Sequence, residues 1–283
     1  QNKKPNFLLI ITDQHRADHV GCYGHPVIKT PHIDTIAARG RMFEKFYVAC
    51  AICQPNRSTL MTGRMPSLHG VKHNGVPLDR RFNTFVDLMR VQGYKTALIG
   101  KSHLMNMTSN QARYGKPEPE NTKKPVPSNF QLAVPVDHEN SYYDQEHPKN
   151  WGEKSNFEVE LPFYGFNHVD LQTGHADGVG GDYNRWLEAK YPNSQSLKGP
   201  ENALTHDYTA AQAWRTAIPE ELYPTSYITE KSIEYLEGHV KEEDGKPFFM
   251  MMSYPDPHHP FTPPGKYWNM YKPEEMPLPD SFY

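Results

Sequence analysis

Cysteine is scarce in this chain, which has only Cys22, Cys50 and Cys53 among its 283 residues. Three cysteines are too few for a disulfide framework, and an odd number leaves at least one thiol unpaired or chemically altered. Long apolar runs are also missing, and none approaches the roughly 20 residues that a membrane-spanning helix needs. We therefore expect neither a disulfide-stapled domain nor a membrane protein.

A strong charge of either sign is missing as well. Thirty basic and 33 acidic residues leave a formal net charge of -3, which favours neither nucleic acid nor a membrane surface as a partner. Twenty-six prolines and 17 tyrosines are typical of a loop-rich soluble protein. The first residue is Gln1 rather than methionine, as after removal of a signal peptide or after trimming. On this basis we expect a periplasmic or secreted protein.

The first residues predict a strand and then a helix. The uninterrupted apolar run of residues 6–12, "NFLLIIT", is typical of a strand that is buried on both faces of a parallel sheet. Asp13 follows at the carboxyl end of this strand, which is where open α/β sheets bind ligands. In residues 30–40, Thr30 is a candidate N-cap, Pro31 the first helical residue and Gly40 the stop.

The same alternation of helix and strand recurs twice. Residues 84–103 predict a helix closed by Gly93, then the strand "KTALIG", then Lys101 and His103. Residues 225–240 predict an amphipathic helix, and the strand "PFFMMMSY" that follows it leads into His258 and His259. We predict one α/β domain over residues 1–283, with a mostly parallel central sheet flanked by helices and polar residues converging at the strand ends.

Between about residues 106 and 222 the periodicity fails. Proline, asparagine, glutamate and tyrosine crowd residues 114–154, which is typical of loops. We interpret residues 106–222 as a long loop-rich insertion that shapes a pocket.

The spacing of Cys50 and Cys53, C-x-x-C, has three interpretations. A zinc site needs four ligands, and the sequence contains no second C-x-x-C or C-x-x-H unit. A thioredoxin-type redox pair needs an exposed cysteine at a helix N-terminus, which Ile52 and Pro55 fit only loosely. Composition alone favours two buried structural thiols.

The residues after Cys53 favour another interpretation. The string of residues 53–58, "CQPNRS", followed by "TGR" at 62–64, resembles the C-x-P-x-R signature of the type I sulfatases in the alkaline-phosphatase-like superfamily. Four further segments resemble that family: "PNFLLIITDQHRADHVGCYG", "PHIDTIAARG", "GYKTALIGKSH" and "SYPDPHHPF". Together they cover most of residues 5–103 and 225–264.

Three positions depart from the commoner family pattern. Asn56 stands where Ser or Ala is usual, Gln14 follows Asp13 in place of a second aspartate, and Ser102 replaces a tryptophan. The Asp-Gln variant is found in some sulfatases and in related phosphonate monoester hydrolases.

The resemblance implies an alkaline-phosphatase-like fold and a particular nucleophile. It implies that Cys53 is converted to formylglycine by a formylglycine-generating enzyme and that the hydrated aldehyde attacks the substrate. The resemblance also implies a hard divalent cation, Ca²⁺ or Mg²⁺, with Asp13, Gln14 and oxidised Cys53 as ligands.

The remaining roles follow by position from the same resemblance. Arg57 holds the hydroxyl of the nucleophile, and Lys101 binds a sulfate oxygen. His103 is the base that helps to expel sulfate from the hydrated aldehyde. His258 is the general acid near the leaving oxygen, and Asn74 contacts the sulfate group. Taken alone, Asp13 is typical of a turn or cap, Lys101 and His103 of a solvated loop, and His258 beside His259 of an exposed turn.

One part of the family pattern has no match. The later D-H-G type segment, which supplies two more metal ligands, and a further lysine do not occur in residues 1–283. We expect this chain to be the N-terminal portion of the catalytic domain, with the C-terminal part supplied by the rest of a longer protein.

Three functions remain open at this point. The first is hydrolysis of a sulfate monoester, either a small aryl sulfate or a glycan sulfate. The second is a phosphonate monoester or phosphodiester hydrolase of the same superfamily, favoured by Gln14 but disfavoured by Lys101 and His103. The third is a non-catalytic binder of sulfated glycans, in which Cys53 stays a thiol.

Overall fold

A five-stranded sheet forms the centre of the computed structural model, which describes residues 4–108, 143–152, 156–242, 244–278 and 282. The strands are β1 (Phe7–Thr12), β2 (Lys95–Lys101), β3 (His168–Thr173), β4 (Gly180–Gly181) and β5 (Phe248–Tyr254). Their order is β1-β5-β2-β3-β4, and only the β3–β4 pair is antiparallel. The predicted α/β class with a mostly parallel sheet is confirmed.

Six helices accompany the sheet in the described residues. They are α1 (Pro31–Arg39), α2 (Cys53–Thr62), α3 (Pro66–His69), α4 (Phe85–Val91), α5 (Asp182–Lys190) and α6 (Pro224–Lys241). Helix α1 begins and ends as predicted, although the Thr30 hydroxyl donates to Asp34 instead of capping the helix. No described helix is both long and apolar enough to cross a bilayer.

Strand β2 shows why the centre of the sheet is stable. Successive side chains point to opposite faces, so Leu98 packs into one hydrophobic cluster while Ala97 and Ile99 pack into the other. All three side chains are almost completely buried. Burial of each large apolar side chain contributes roughly 1.5–3 kcal/mol, so β2 is held firmly where its carboxyl end enters the site.

Strand β1 differs from its prediction. The apolar run predicted burial on both faces, but Phe7, Leu8 and Ile10 are 44%, 48% and 47% exposed. In the described part of the chain, β1 lies at one edge of the sheet with β5 as its neighbouring strand, and the exposure of its side chains depends on which elements cover the two faces there. An apolar run shows that a strand can be buried, but the neighbouring elements decide whether it is.

Residues 106–222 also differ from the loop-rich interpretation. Residues 109–142 and 153–155 lie outside the described part, but this range contributes β3, β4 and α5 to the fold. Strand β3 was missed because its sequence, "HVDLQT", mixes polar with apolar residues. Gln172 is nevertheless completely buried, and its Nε2 donates to the carbonyl oxygen of Pro224. A polar side chain that is hydrogen-bonded through its amide nitrogen therefore occupies a core position that hydrophobic patterning cannot find.

Candidate active site

The carboxyl ends of four parallel strands and the N-terminus of α2 meet at one edge of the sheet. The backbone N–H of Asp13, after β1, donates to the carbonyl oxygen of Asp256, after β5, at 3.1 Å. Arg57, on α2, reaches β2 by donating from Nη1 to the Lys101 carbonyl oxygen at 2.9 Å. These bonds join segments that are far apart in sequence at the edge where predicted site residues lie.

Cys53 is the first residue of α2, with Ile52 as its N-cap. Its Sγ lies 3.4 Å from Oδ1 of Asp13. Burial raises the pKa of the Cys53 thiol, and the Asp13 carboxylate adds to that effect, although Lys101 opposes it. A thiol with a raised pKa is a poor redox nucleophile, and all three cysteines are free. The geometry therefore argues against a thioredoxin-type pair.

Arg57 is buried and joins three elements. Besides the Lys101 carbonyl, Nη1 donates to Oγ of Ser253 in β5 at 2.8 Å, and Nη2 lies 3.6 Å from Oδ2 of Asp13. Ser253 carried no signal in the sequence, because a serine within an apolar strand is unremarkable without its partner. The guanidinium is held with its charge directed at the Asp13 carboxylate.

Lys101 is completely buried and forms an ion pair with Oδ2 of Asp13. Burial alone would raise the pKa of Asp13, but the charges of Lys101 and Arg57 outweigh it and hold that pKa well below its usual value. Burial, together with the nearby Arg57 charge, lowers the pKa of Lys101. The result is an ionised carboxylate between two cations, beside the Cys53 sulfur.

His103 is buried in a loop of unusual backbone geometry. Its φ is +54°, in the left-handed region that non-glycine residues rarely adopt. Among the described residues, neither of its ring nitrogens has a hydrogen-bond partner. Burial, and the charges of Lys101 and Arg57, hold the pKa of His103 well below its usual range. A neutral imidazole with a free lone pair is suited to accept a proton from a bound ligand.

Glu146 holds this loop and was not found from the sequence. Its Oε1 accepts from the His103 N–H at 2.8 Å and its Oε2 from the Met105 N–H at 2.6 Å. The side chain is completely buried. It lies in the range interpreted as loops, where no periodicity distinguished it from the other acidic residues.

The buried Glu146 carboxyl should make the free energy of unfolding depend on pH. Burial raises the pKa of Glu146 from 4.5 to about 7, so between these pH values the folded state binds a proton that the unfolded state has released. The carboxyl's contribution to stability is complete below pH 4.5 and is lost as pH rises to 7. Between pH 4.5 and 7, the free energy of unfolding of the wild type should fall by on the order of 3 kcal/mol relative to that of Glu146→Gln. Urea unfolding at each pH measures this difference. Glu44→Gln, the same change at an exposed site, is the control and should show the same pH dependence of the free energy of unfolding as the wild type. The same pH dependence in all three proteins would contradict the prediction.

His258 lies at the site with its tautomer determined. Its Nδ1 contacts the carbonyl oxygen of His259, and because a carbonyl only accepts, Nδ1 carries the proton and Nε2 the lone pair. His175, after β3, stacks on the His258 ring with centroids 3.6 Å apart. Sequence reasoning missed His175, and recognising β3 as a strand was the signal that could have found it.

Two predicted residues are placed less directly. Asn74 is exposed, and its Oδ1 accepts from the backbone N–H of Gln54 at 3.2 Å, next to Cys53. Gln14 follows Asp13 with a φ of +55°, but its side chain is exposed, and no described contact joins it to Asp13 or Cys53. The structure thus brings together the other predicted site residues and leaves Gln14 outside.

Two donor sets at the site could hold a metal ion. Asp13 offers a buried, ionised carboxylate, which suits a hard cation such as Ca²⁺ or Mg²⁺. Ligand atoms of Cys53, His175 and His258 lie within 4.8 Å of one another, and thiolate with imidazole suits softer metals. A thiol sulfur is a poor ligand for a hard cation, whereas an oxygen in its place would extend the set begun by Asp13.

Comparison with known proteins gives one family. A family described as Sulfatase matches residues 5–281. The multifunctional alkaline phosphatase superfamily protein PehA of Trinickia caryophylli is 30% identical over 285 residues, covering 98% of this chain and 46% of PehA. An arylsulfatase of Clostridium perfringens is 28% identical over 291 residues, covering 98% of this chain and 48% of the arylsulfatase.

A solved structure supports the same fold. The phosphonate monoester hydrolase of Agrobacterium radiobacter superimposes with a TM-score of 0.63 at 25% identity, covering 97% of this chain and 45% of that one. The predicted alkaline-phosphatase-like fold is confirmed. The chain spans about half the length of the relatives that it matches.

Proposed function

The chain belongs to the sulfatase family, and from this premise we propose that the protein hydrolyses a sulfate monoester of a carbohydrate or an aryl alcohol. The observation that carries the proposal is the grouping of Lys101 and Arg57 around Asp13 and Cys53. A sulfate monoester is an anion, and two buried cations can stabilise the charge that develops on it during attack.

In this proposal Cys53 is the precursor of the nucleophile. Conversion of its thiol to formylglycine, by a formylglycine-generating enzyme, supplies a hydrated aldehyde whose hydroxyl attacks sulfur. Arg57 orients that hydroxyl. Asp13, Gln14 and oxidised Cys53 would hold Ca²⁺ or Mg²⁺, which would supply Lewis-acid stabilisation when bound. Gln14 must turn inward for this role, since its side chain is exposed.

The other residues bind the anion and move protons. Lys101 binds a sulfate oxygen, and Asn74 contacts the group from the N-terminal side of α2. His258 directs Nε2 at the leaving oxygen, because its Nδ1 is already engaged with the His259 carbonyl. It acts as general acid in the imidazolium form, when Nε2 carries a proton as well. His103 accepts a proton when sulfate is expelled, which is favoured because neither ring nitrogen has a partner in the described part of the chain.

The partners of the whole protein are also proposals. Because the chain spans about half the length of its relatives, we propose that further residues of a longer protein complete the metal site. A periplasmic or secreted location is proposed with it, and cell fractionation of the native host tests that location.

A second candidate is hydrolysis of a phosphonate monoester or phosphodiester. It is favoured by Gln14 after Asp13 and by the similarity to a phosphonate monoester hydrolase. The same cationic site suits a phosphonate anion, so geometry alone does not choose between them. Parallel assays with 4-nitrophenyl sulfate and 4-nitrophenyl phenylphosphonate decide, since the larger kcat/KM identifies the reaction.

The test of the nucleophile is the mass of the tryptic peptide "FYVACAICQPNR", residues 46–57, from protein made in its native host. We expect an aldehyde oxygen in place of the Cys53 thiol and reaction with a carbonyl-trapping reagent. An unmodified thiol, from a host that matures other sulfatases, would falsify the hydrolase proposal and favour the non-catalytic binder of sulfated glycans.

A further inference from the structure

His175 makes two contacts with proposed active-site residues. Its Nε2 lies 2.5 Å from Nζ of Lys101, and its ring stacks on His258 with an interplanar angle of 12°. The same Nε2 is 3.8 Å from Oδ2 of Asp13. The side chain is 22% exposed, so it lines the site and is not part of the hydrophobic core.

We propose that His175 is a positioning residue that holds Lys101 and His258 in the orientations that bind and cleave the ester. This inference rests on the proposed function. No motif in the sequence indicates this role, which comes entirely from the placement of the loop after β3.

The contact with Lys101 orients a buried ammonium group. An ammonium has three N–H donors and no acceptor, so Nε2 of His175 must be the acceptor, and its proton is on Nδ1. Within the described residues, the side-chain partners of Nζ are Asp13 and His175. Two donors are thereby engaged, and the third remains for an oxygen of the bound anion.

The contact with His258 fixes the plane of an imidazole. The Nδ1 contact with the His259 carbonyl restrains one edge of the His258 ring, but it leaves rotation about that contact open. Stacking on the His175 ring, with the two ring centroids 3.6 Å apart, prevents this rotation. With both restraints, Nε2 of His258 keeps one direction, as proton donation to a leaving oxygen requires.

Two substitutions separate these contacts. His175→Gln can keep an acceptor near the position of Nε2 but loses the ring, whereas His175→Phe keeps a stacking ring but loses the acceptor. His175→Gln should leave KM nearly unchanged and lower kcat about tenfold or more for an alkyl or sugar sulfate. The loss should be small for 4-nitrophenyl sulfate, whose leaving group needs little protonation.

His175→Phe should show the opposite pattern. Lys101 loses one of its two orienting partners, so KM should rise about tenfold, the scale of a hydrogen bond to a charged group. The dependence of kcat on the leaving group should stay as in the wild type. His32→Gln and His32→Phe, made at an exposed position on α1, are the matched controls and should change neither parameter. Urea unfolding of each variant identifies any change that is only a loss of folding.

Binding of inorganic sulfate tests the proposal without turnover. By titration calorimetry on the whole protein, His175→Phe should bind sulfate about tenfold more weakly than the wild type, and His175→Gln should bind it equally well. If the wild type hydrolyses no ester but this binding pattern holds, the proposed function fails while the positioning of Lys101 stands. Equal sulfate affinity in all three proteins, or identical kinetic losses in both variants, overturns the positioning role.

Discussion

Replacing Cys53 by alanine should abolish turnover while leaving the fold intact. The side chain is at the first position of α2, only half-buried, and its described polar contact is the one with Asp13. Alanine is a good helix former, so the free energy of unfolding should change by less than about 1 kcal/mol. Loss of the nucleophile, by contrast, should lower kcat by roughly 10⁴-fold or more.

The matched control is Cys50→Ala, the same change three residues upstream. If Cys53 is the precursor of formylglycine, only Cys53→Ala removes activity and carbonyl trapping of the peptide, and Cys50→Ala keeps both. A redox pair requires both thiols, so equal loss in the two variants would support that interpretation. If both variants and the wild type bind sulfated glycan equally and none turns it over, the binder is the better account.

Gly100→Ala should be the most destabilising single substitution at the site. Gly100 is buried in β2 with a φ of +105°, and it pairs with Ser253 of β5. A Cβ added to Gly100 would lie closer to the Ser253 carbonyl oxygen than real Cβ atoms come to a non-bonded atom. It would also lie 3.0 Å from Cδ1 of Ile228. The obstacle is backbone of a central strand, so it cannot move aside as a flexible side chain would.

Overpacking and backbone strain together should lower the free energy of unfolding by about 4 kcal/mol or more. Gly93→Ala is the matched control, because Gly93 also has a positive φ, +87°, but its added Cβ meets nothing within 4 Å. That variant should lose only about 1 kcal/mol from the strained conformation. Urea unfolding of both proteins measures the difference, and equal losses would show that contact with β5 is unimportant.

Gly100→Ala should also disturb the site, because the displaced strands carry its residues. Lys101 follows Gly100 directly, and Arg57 donates both to the Lys101 carbonyl and to Ser253 Oγ. Separation of β2 from β5 lengthens these bonds together. Protein that folds at low temperature should therefore bind inorganic sulfate more weakly than Gly93→Ala does.

The sequence predicted the site residues best where each stands at the end of an apolar run. Asp13 and His258 follow strands that hydrophobic patterning identifies, and Lys101 is the last residue of another. All three lie at the same edge of the sheet. His175 follows an equally important strand, but Asp170 and Gln172 interrupt its apolar pattern. Patterning measures burial only through apolar residues, so a core strand that carries buried polar side chains escapes it.

The sequence alone determined the family, the α/β class and the identity of most residues proposed for the chemistry, because short motifs and apolar runs are local properties of the chain. Only the tertiary structure decided that β1 is an edge strand, that Glu146 holds the His103 loop, and that His175 contacts Lys101. These are relations between segments far apart in sequence. The physical reason is that burial, pairing and orientation depend on the neighbours that a residue has in space, and the type of the residue does not specify those neighbours.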